Sequence, residues 1–118
     1  MPKANLRVTI NTSKGGIMYE LKALMNEDSI IYHEPDELKT KVTYNYKDNI
    51  LIRDNLNMHL VYEFNKLRET TGTIEVKEYN KYVKVPIITK KLTKNKKKYH
   101  IVFSLNDEEI EYILEVLK

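Results

Sequence analysis

Several residue types are absent or rare in this sequence, and each absence excludes a kind of chemistry. There is no cysteine among the 118 residues, which excludes disulfides, thiolate zinc sites and thiol nucleophiles together. Glycine occurs only as Gly15, Gly16 and Gly72, so the sequence holds no glycine-rich loop of the kind that cradles phosphate. Few of the common catalytic arrangements therefore remain.

Long apolar segments are also absent. The first residues, MPKANLRVTINTS, are charged or polar where a secretory signal needs about 7 to 15 apolar residues. No run approaches the roughly 20 apolar residues that cross a bilayer. We therefore expect a cytoplasmic protein with no membrane segment. A chain of 118 residues also fits a single domain, residues 1–118.

The charge is small overall but unevenly distributed along the chain. The formal net charge is +3. Residues 77–100 contain nine lysines and one acid, Glu78, which gives this segment a local charge of +8 and leaves −5 on the rest. The basic character of the protein is therefore confined to one segment.

Apolar residues recur at every second position through most of the chain. The clearest examples are residues 58–64 and 99–105. Such alternation is typical of strands that bury one face, because successive side chains point to opposite sides. Shorter versions occupy residues 6–11, 17–24, 41–46, 50–53, 73–79 and 82–89.

Polar clusters that favour turns separate these segments at intervals of about ten residues, which is the pattern of an antiparallel meander. Asn and Asp close such turns because they tolerate left-handed backbone angles. The predicted turns are residues 13–16, 34–36, 47–49, 54–57, 71–72, 80–81 and 95–96. A sheet of about eight to ten strands must protect its two edge strands, and closure of the sheet into a barrel removes both edges. A β-sandwich is the alternative.

The C-terminal segment, residues 107–117, fits two structures. Four apolar residues share one helical stripe, with acids before them and a lysine after, which favours a helix. These are Ile110, Ile113, Leu114 and Leu117. Apolar and aromatic residues also alternate from 110 to 116, as a strand requires. Taken alone, the local pattern favours the helix.

The stretch HEPDE, residues 33–37, is the densest cluster of chemically capable side chains. It begins like the HExxH zinc helix, but the second histidine is missing, and it lacks the spacing of a calcium loop. Tyrosine, threonine and valine follow closely, so a helical turn starting at Pro35 cannot lengthen. We interpret the stretch as a solvated turn between strands, with a metal or acid/base site as the alternative.

Other candidate catalytic groups fail on geometry. Ser104 and His100 lie four residues apart on one predicted strand face, which separates them by about 13 Å. A nucleophile and its base must be within hydrogen-bond reach. The same separation applies to His59 and Glu63. We therefore predict no enzymatic activity, no catalytic residue, no metal and no cofactor.

The lysine-rich segment 88–100 is the strongest basic feature. As a hairpin tip it would bring lysines together, with Tyr79, Tyr82 and Tyr99 close enough to stack on bases. The candidate nucleic-acid contacts are Lys90, Lys91, Lys96, Lys97 and Lys98. Solvated lysine loops are commoner, and lysines also protect strand edges. Nucleic-acid or ribonucleoprotein binding through residues 77–100 is therefore an alternative function and not the leading one.

The order of the strands carries a family resemblance. Its elements are the Tyr32-x-Glu34 strand end, the strand that includes Lys39-Thr40-Lys41-Val42, the Ile52-Arg53 pair, the strand 58–64 and the turn at Gly72. With these, the chain resembles the YwiB-like family of small bacterial calycin-like β-barrels, although Thr71 replaces the usual aromatic residue before the glycine. The resemblance implies a closed, lipocalin-like barrel whose last strand is the C-terminal segment. It transfers no binding or catalytic residue.

A ligand-binding role follows from the expected barrel. Barrels near eight strands either fill their interior with side chains or hold one small ligand. We expect a small, partly apolar or anionic molecule at the barrel mouth, with Tyr32, Arg53 and Tyr62 as candidate contacts, since a buried arginine among aromatic residues needs an anionic partner. The alternative is that the Arg53 side chain lies outside the barrel and that Tyr62 is an ordinary core residue with no ligand contact. A module that pairs with other proteins through an unclosed edge strand is the remaining alternative.

Overall fold

The computed structural model describes residues 2–117, most of which lie in β-strands. The strands are β1 (Lys3–Thr12), β2 (Gly15–Met25), β3 (Ser29–His33), β4 (Lys41–Asn45), β5 (Ile50–Asp54), β6 (Met58–Glu63), β7 (Thr70–Val76), β8 (Lys81–Lys94), β9 (Lys98–Leu105) and β10 (Glu108–Val116). A 3-10 helix, Lys77–Tyr79, precedes β8. The all-β class is confirmed. Within residues 2–117, no helix is long and apolar enough to cross a membrane.

The ten strands form one closed antiparallel barrel. Each strand pairs with the strand that follows it in the chain, and β10 pairs with β1 to close the ring. Every connection between neighbours is therefore a short turn or loop, as the spacing of polar clusters predicts. The barrel is the predicted architecture, and the β-sandwich alternative is wrong.

The C-terminal segment is a strand, and the helix that its local pattern favours is wrong. Leu114 of β10 lies opposite Tyr99 of β9 on one side and opposite Val8 of β1 on the other. Two ladders thus satisfy the backbone groups that a helix would satisfy internally. Tyr112 and Leu114 also enter the core. Tertiary pairing overrides the local helix preference here.

Alternate side chains of the strands point into the lumen and form the core. Leu60 and Tyr62 of β6 are buried, as are Tyr99, Ile101 and Phe103 of β9. Their neighbours in sequence face outward and are less buried. The buried face predicted for both segments is confirmed.

Gly72 lies inside β7, so the turn predicted at residues 71–72 is wrong. A Cβ atom at this position would lie 2.9 Å from Cδ1 of Tyr62 and 3.0 Å from Cδ1 of Ile87. The Tyr62 ring therefore occupies the space that a side chain would need. The chain turns earlier, between the end of β6 at Glu63 and the start of β7 at Thr70.

Strand β8 changes its alternation at Lys90. Thr89 lies opposite Phe103, but the next paired residue is Lys91, opposite Val102. Lys90 is thus the extra residue of a β-bulge, which bends the strand and reverses which side chains face the lumen. Lys91 consequently points outward beside Val102.

Two seams of the barrel wall are incomplete, and both gaps lie toward the same end of the barrel. β2 pairs with β3 only through Leu24 and Met25, so residues 15–23 have a ladder on the β1 side alone. β8 pairs with β9 only from Ile87 onward, so residues 81–86 pair with β7 alone. We call this the open end, and the opposite one, with the β4–β5 and β8–β9 turns, the packed end.

Candidate functional site

A cavity of about 550 Å³ lies at the open end of the lumen. Small-molecule sites have volumes of about 300–1,000 Å³ and mostly apolar walls. The apolar part of this wall consists of Ile10, Ile17, Pro35, Leu51, Phe103 and Ile110. Polar groups enter it from Thr12, Tyr19, Glu34, Asp36, Arg53, Tyr62 and Tyr112.

An ion pair between Glu34 and Arg53 lies in the cavity wall. Nη2 of Arg53 donates a hydrogen bond to Oε1 of Glu34 at 2.6 Å. The Glu34 side chain is 10% exposed and that of Arg53 31%. Glu34 follows the alternation of β3 one residue beyond its end, so it continues the buried face. The interpretation of Glu34 as a solvated turn residue is therefore wrong.

The arginine keeps its charge and has a buried N–H without a partner. Burial lowers the pKa of Arg53, but the hydrogen bond and the negative charge of Glu34 raise it by more, so the net pKa lies above its ordinary value. Nε of Arg53 is buried and has no hydrogen-bond partner within residues 2–117. The anionic partner that the sequence led us to expect for this arginine is thus supplied by the chain itself.

Three tyrosines lie beside the ion pair. The hydroxyls of Tyr32 and Tyr112 share a short hydrogen bond across the lumen. The Tyr19 hydroxyl is buried without a hydrogen-bond partner in the described chain. Burial, with a contribution from the charge of Glu34, raises the pKa of Tyr19 to about 12. Burial also raises the pKa of Tyr32 and of Tyr112. All three phenols are therefore neutral near pH 7 and act as hydrogen-bonding groups, not as bases.

The loop between β3 and β4 is fixed over the cavity by Asp36 and Thr40. The Asp36 carboxylate accepts hydrogen bonds from the Thr40 backbone N–H at 3.0 Å and from its hydroxyl at 2.7 Å. The Glu34 N–H donates to the Thr40 carbonyl at 2.8 Å. The hydrogen bonds from Thr40 lower the pKa of Asp36. His33 and Glu37 are exposed, so the HEPDE stretch divides into a structural turn and one inward carboxylate.

Two of the three predicted ligand contacts line the cavity, namely Arg53 and Tyr62. Tyr32 is 2% exposed and lies in the core, where it contacts the cavity residue Tyr112. Sequence reasoning missed Tyr19 and Tyr112 as site residues. Tyr19 alternates with outward residues in the predicted strand 17–24, a signal that could have found it. Tyr112 was hidden because its segment also fits a helix.

The five lysine candidates lie on the outside of the barrel, apart from the cavity. Lys96, Lys97 and Lys98 are exposed at the β8–β9 turn of the packed end. Lys90 is paired with Glu109, with 2.8 Å between Nζ and Oε1. Lys91 faces outward after the bulge. The lysines are thus spread along one hairpin.

The tyrosines that were expected to stack on bases are not beside these lysines. Tyr99 is 6% exposed and packs in the core against Tyr44 and Tyr46. Tyr79 and Tyr82 are exposed, but they lie at the start of β8, at the open end. The predicted combination of lysines and stacking tyrosines is therefore wrong.

Comparison with known proteins adds a structural likeness. No protein-family model matches this sequence, and no curated protein matches it either. Among solved structures, the chain is similar to the crystal structure of the ywiB protein from Bacillus subtilis, at 12% sequence identity and a TM-score of 0.49. The likeness covers 98% of this chain and 91% of that one. Fold alone does not assign function, so function rests on the site.

Proposed function

We propose that this protein binds a small, mostly apolar molecule that carries an uncharged polar group, in the cavity at the open end. The observation that carries the proposal is the cavity of about 550 Å³, in which an apolar wall meets the Glu34–Arg53 ion pair at one place. Apolar walls with a few placed polar groups are the usual composition of ligand sites. In this proposal the apolar wall contacts the apolar part of the ligand, and the ion pair lies beside its polar group.

We expect an uncharged ligand because the positive charge of the arginine in the site is already neutralised by a carboxylate of the protein. Glu34 neutralises Arg53, and Asp36 adds a further negative charge at the rim. An anion would have to displace Glu34, and a buried carboxylate without a partner is costly. Nε of Arg53 and the hydroxyl of Tyr19 retain hydrogen-bonding capacity. A carbonyl or hydroxyl oxygen can accept from either after a small side-chain shift.

The polar groups of the site suit binding better than proton transfer. A general acid or base works best with a pKa near the operating pH, whereas the pKa of Tyr19 is raised to about 12. The Glu34 carboxylate and the Arg53 guanidinium are already paired with each other. Non-enzymatic binding is thus our proposal, together with membership of the calycin-like YwiB family and a cytoplasmic location.

A set of ligands with one chain length and different head groups tests the proposal. Octanol, octanamide, octanoate and octylamine are titrated against protein loaded with the neutral dye Nile red, and dye fluorescence reports displacement. We expect octanamide and octanol to compete at concentrations at least about tenfold lower than octanoate, because desolvating an unpaired charge costs more than about 1.4 kcal/mol. Preference for octanoate or for octylamine, or no displacement by any member, contradicts the proposal.

Two tryptophan variants on β10 identify the cavity as the binding place. Ile110 lines the cavity, whereas Ile113 lies on the outer face of the same strand, opposite His100. We expect Ile110→Trp to abolish displacement because the indole fills the cavity, and Ile113→Trp to leave it unchanged. Equal effects of the two substitutions would place binding on the surface.

A further inference from the structure

Tyr19 lines the cavity from a strand position that β1 holds in place. It belongs to β2 and lies opposite the buried Val8 of β1. Thr12 and Gly15 flank the two-residue turn between these strands, so they form its hydrogen-bonded closing pair. Hydrogen-bonded pairs recur at every second position of an antiparallel ladder, so Tyr19 and Val8 are also bonded to each other. The backbone of Tyr19 is therefore fixed, although residues 15–23 have no strand partner on the other side within residues 2–117.

The Tyr19 hydroxyl is a buried donor without an acceptor. Within residues 2–117 it has no hydrogen-bond partner, and the same is true of the buried Nε of Arg53. Both side chains line the cavity. Burial and the charge of Glu34 raise the pKa of Tyr19, whereas the charge of Arg53 lowers it, so the phenol lies within electrostatic range of both members of the ion pair. Two unpaired donors thus belong to one region of the cavity.

Acceptors are fewer than donors in this region. A hydroxyl group has one proton, so a chain of linked hydroxyls always ends in a proton that still needs an acceptor. The hydrogen bond between Tyr32 and Tyr112 therefore leaves one phenol proton without an acceptor. Both carboxylate oxygens of Asp36 already accept hydrogen bonds, as does Oε1 of Glu34. In the described chain, only Oε2 of Glu34 remains as a carboxylate acceptor in this part of the wall.

We propose that the ligand of this cavity carries a carbonyl group, and that the Tyr19 hydroxyl and Nε of Arg53 both donate to its oxygen. The inference rests on the ligand binding proposed above and narrows the class of ligand to ketones and esters. A carbonyl oxygen has two lone pairs and no proton, so it satisfies both donors and adds none. An alcohol adds a further proton to a region with an excess of donors. Tyr19 is thus the residue that selects a carbonyl over a hydroxyl group.

Cyclooctanone and cyclooctanol share one carbon skeleton and test this selection. Each is titrated against protein loaded with Nile red, as in the test of the proposed function. We expect the ketone to displace the dye at a concentration about three- to tenfold lower than the alcohol, which is the effect of one hydrogen bond. In Tyr19→Phe one of the two donors is lost, and we expect the two compounds to differ by less than about twofold.

Tyr44→Phe is the matched control. The Tyr44 hydroxyl is also buried without a partner within residues 2–117, but Tyr44 lies in the core and is not among the residues that line the cavity. Both substitutions keep the ring and remove a hydroxyl that makes no hydrogen bond in the described chain. We therefore expect both variants to fold, which circular dichroism checks, and Tyr44→Phe to retain the full preference for the ketone.

The infrared spectrum of bound cyclooctanone, isotope-labelled at its carbonyl carbon, reports the contact directly. A hydrogen bond to a carbonyl oxygen lowers the stretching frequency of the carbonyl group. We expect a higher frequency in Tyr19→Phe than in the natural protein, and no change in Tyr44→Phe. An unchanged frequency in Tyr19→Phe shows that this hydroxyl does not donate to the ligand and overturns the proposal.

The displacement results separate this inference from the proposed function. Equal displacement by the ketone and the alcohol in the natural protein, or preference for the alcohol through Oε2 of Glu34, overturns the inference and leaves binding in the cavity intact. A ketone preference that persists in Tyr19→Phe, or that is lost equally in Tyr44→Phe, also overturns it. Failure of both cyclic compounds overturns the inference alone if octanamide displaces the dye, and the proposed function as well if octanamide and octanol also fail.

Discussion

The two ends of the barrel are made by the same ten strands but are filled in different ways. At the packed end, Tyr44, Phe64 and Tyr99 are all nearly inaccessible to solvent. The rings of Tyr44 and Tyr99 meet edge to face at a centroid distance of 5.8 Å, an arrangement that adds to the stabilisation from burial. At the open end the inward positions hold an ion pair, and a cavity remains.

The wall follows the same division. The short β2–β3 ladder is made by Leu24 and Met25 at the packed end, and the gaps in the β2–β3 and β8–β9 seams lie toward the open end. If the cavity binds a ligand as we propose, stability and recognition depend on different ends of one fold. A binding site needs an unfilled space, so the contacts that stabilise the core are concentrated among the aromatic residues at the other end.

The largest expected effect comes from emptying the packed end. Phe64 is 2% exposed, and its ring lies 4.8 Å from that of Phe103. We expect Phe64→Ala to lower the free energy of unfolding by about 3–5 kcal/mol, because it creates a cavity in a filled core. Urea denaturation with an unchanged slope measures this loss.

The matched variant at the open end is Ile110→Ala. Ile110 already borders the cavity, so its truncation loses fewer contacts, and we expect a cost of about 1–2 kcal/mol, below the usual range for a filled core. Equal costs at the two positions would break the contrast between the ends.

The next effect concerns the ion pair at the open end. Arg53→Met leaves Glu34 nearly buried without its partner, and we expect a loss of about 2–3 kcal/mol, less than for a fully buried pair because Arg53 is partly exposed. Replacing both residues, Arg53→Met with Glu34→Leu, should recover most of this loss. Thermal and urea unfolding of the three proteins check the expectation.

Arg7→Met provides the control for this charge removal. Arg7 pairs with Glu20 at 3.0 Å on the outside of the barrel, where a salt bridge contributes about 0–1 kcal/mol. If Arg7→Met is as damaging as Arg53→Met, burial at the open end has no special effect.

A smaller effect is expected where the two ends meet, at Gly72. A methyl group there overlaps the Tyr62 ring and the end of Ile87. We expect Gly72→Ala to cost about 1–3 kcal/mol, because a packed core resists added volume. Gly16→Ala is the comparison, since the nearest atom to its Cβ is the Asn11 side-chain amide oxygen, which can rotate away. A cost at Gly72 no larger than at Gly16 would contradict this account.

The smallest effect is the contribution of Asp36, at the open end, to the pH dependence of stability. The hydrogen bonds from Thr40 lower the pKa of Asp36 in the folded state. The stabilisation they provide is therefore present above the unfolded pKa of about 4 and is lost as the pH falls through the folded pKa. We expect Asp36→Asn to reduce the acid dependence of stability, measured by urea unfolding between pH 2 and 6, while Asp54 and Glu111, whose pKa values are also lowered, maintain the remainder. Glu37→Gln, at an exposed neighbour, is the control and should leave the dependence unchanged.

Alternation in the sequence was sufficient to predict the antiparallel strands and most of their inward face, whereas it left a β-sandwich open as the alternative to the barrel. It placed Leu60, Tyr62 and Phe103 in the core because each lies in a segment with strict period two. The inward position of Glu34 was missed although Ile30, Tyr32 and Glu34 alternate, because Glu34 belongs to a polar cluster typical of turns and lies beyond the last residue of β3. What local sequence does not specify is that the turn begins only after this residue, with the hydrogen bond between the Glu34 N–H and the Thr40 carbonyl.

The strand register explains the other differences. The β10 segment is a strand because β9, which precedes it, and β1, at the other end of the chain, flank it. The apolar pattern of residues 107–117 alone does not show these pairings. The free edges at residues 15–23 and 81–86 depend on where neighbouring strands stop pairing. The exposed Ile17 and Met18 therefore look like ordinary strand residues until the ladder beside them is known.

The hydrogen bond between Tyr32 and Tyr112 has a mechanical consequence. It joins β3 to β10, which are separated around the ring by β2 and β1. This cross-brace spans the short β2–β3 seam, so parting of that seam does not release β3 from the rest of the barrel. The seam can open as a slit while the lumen keeps its diameter. Amide exchange should be fast at Gly16, Met18 and Glu20, whose N–H groups face the gap, and slow at residues 30–32.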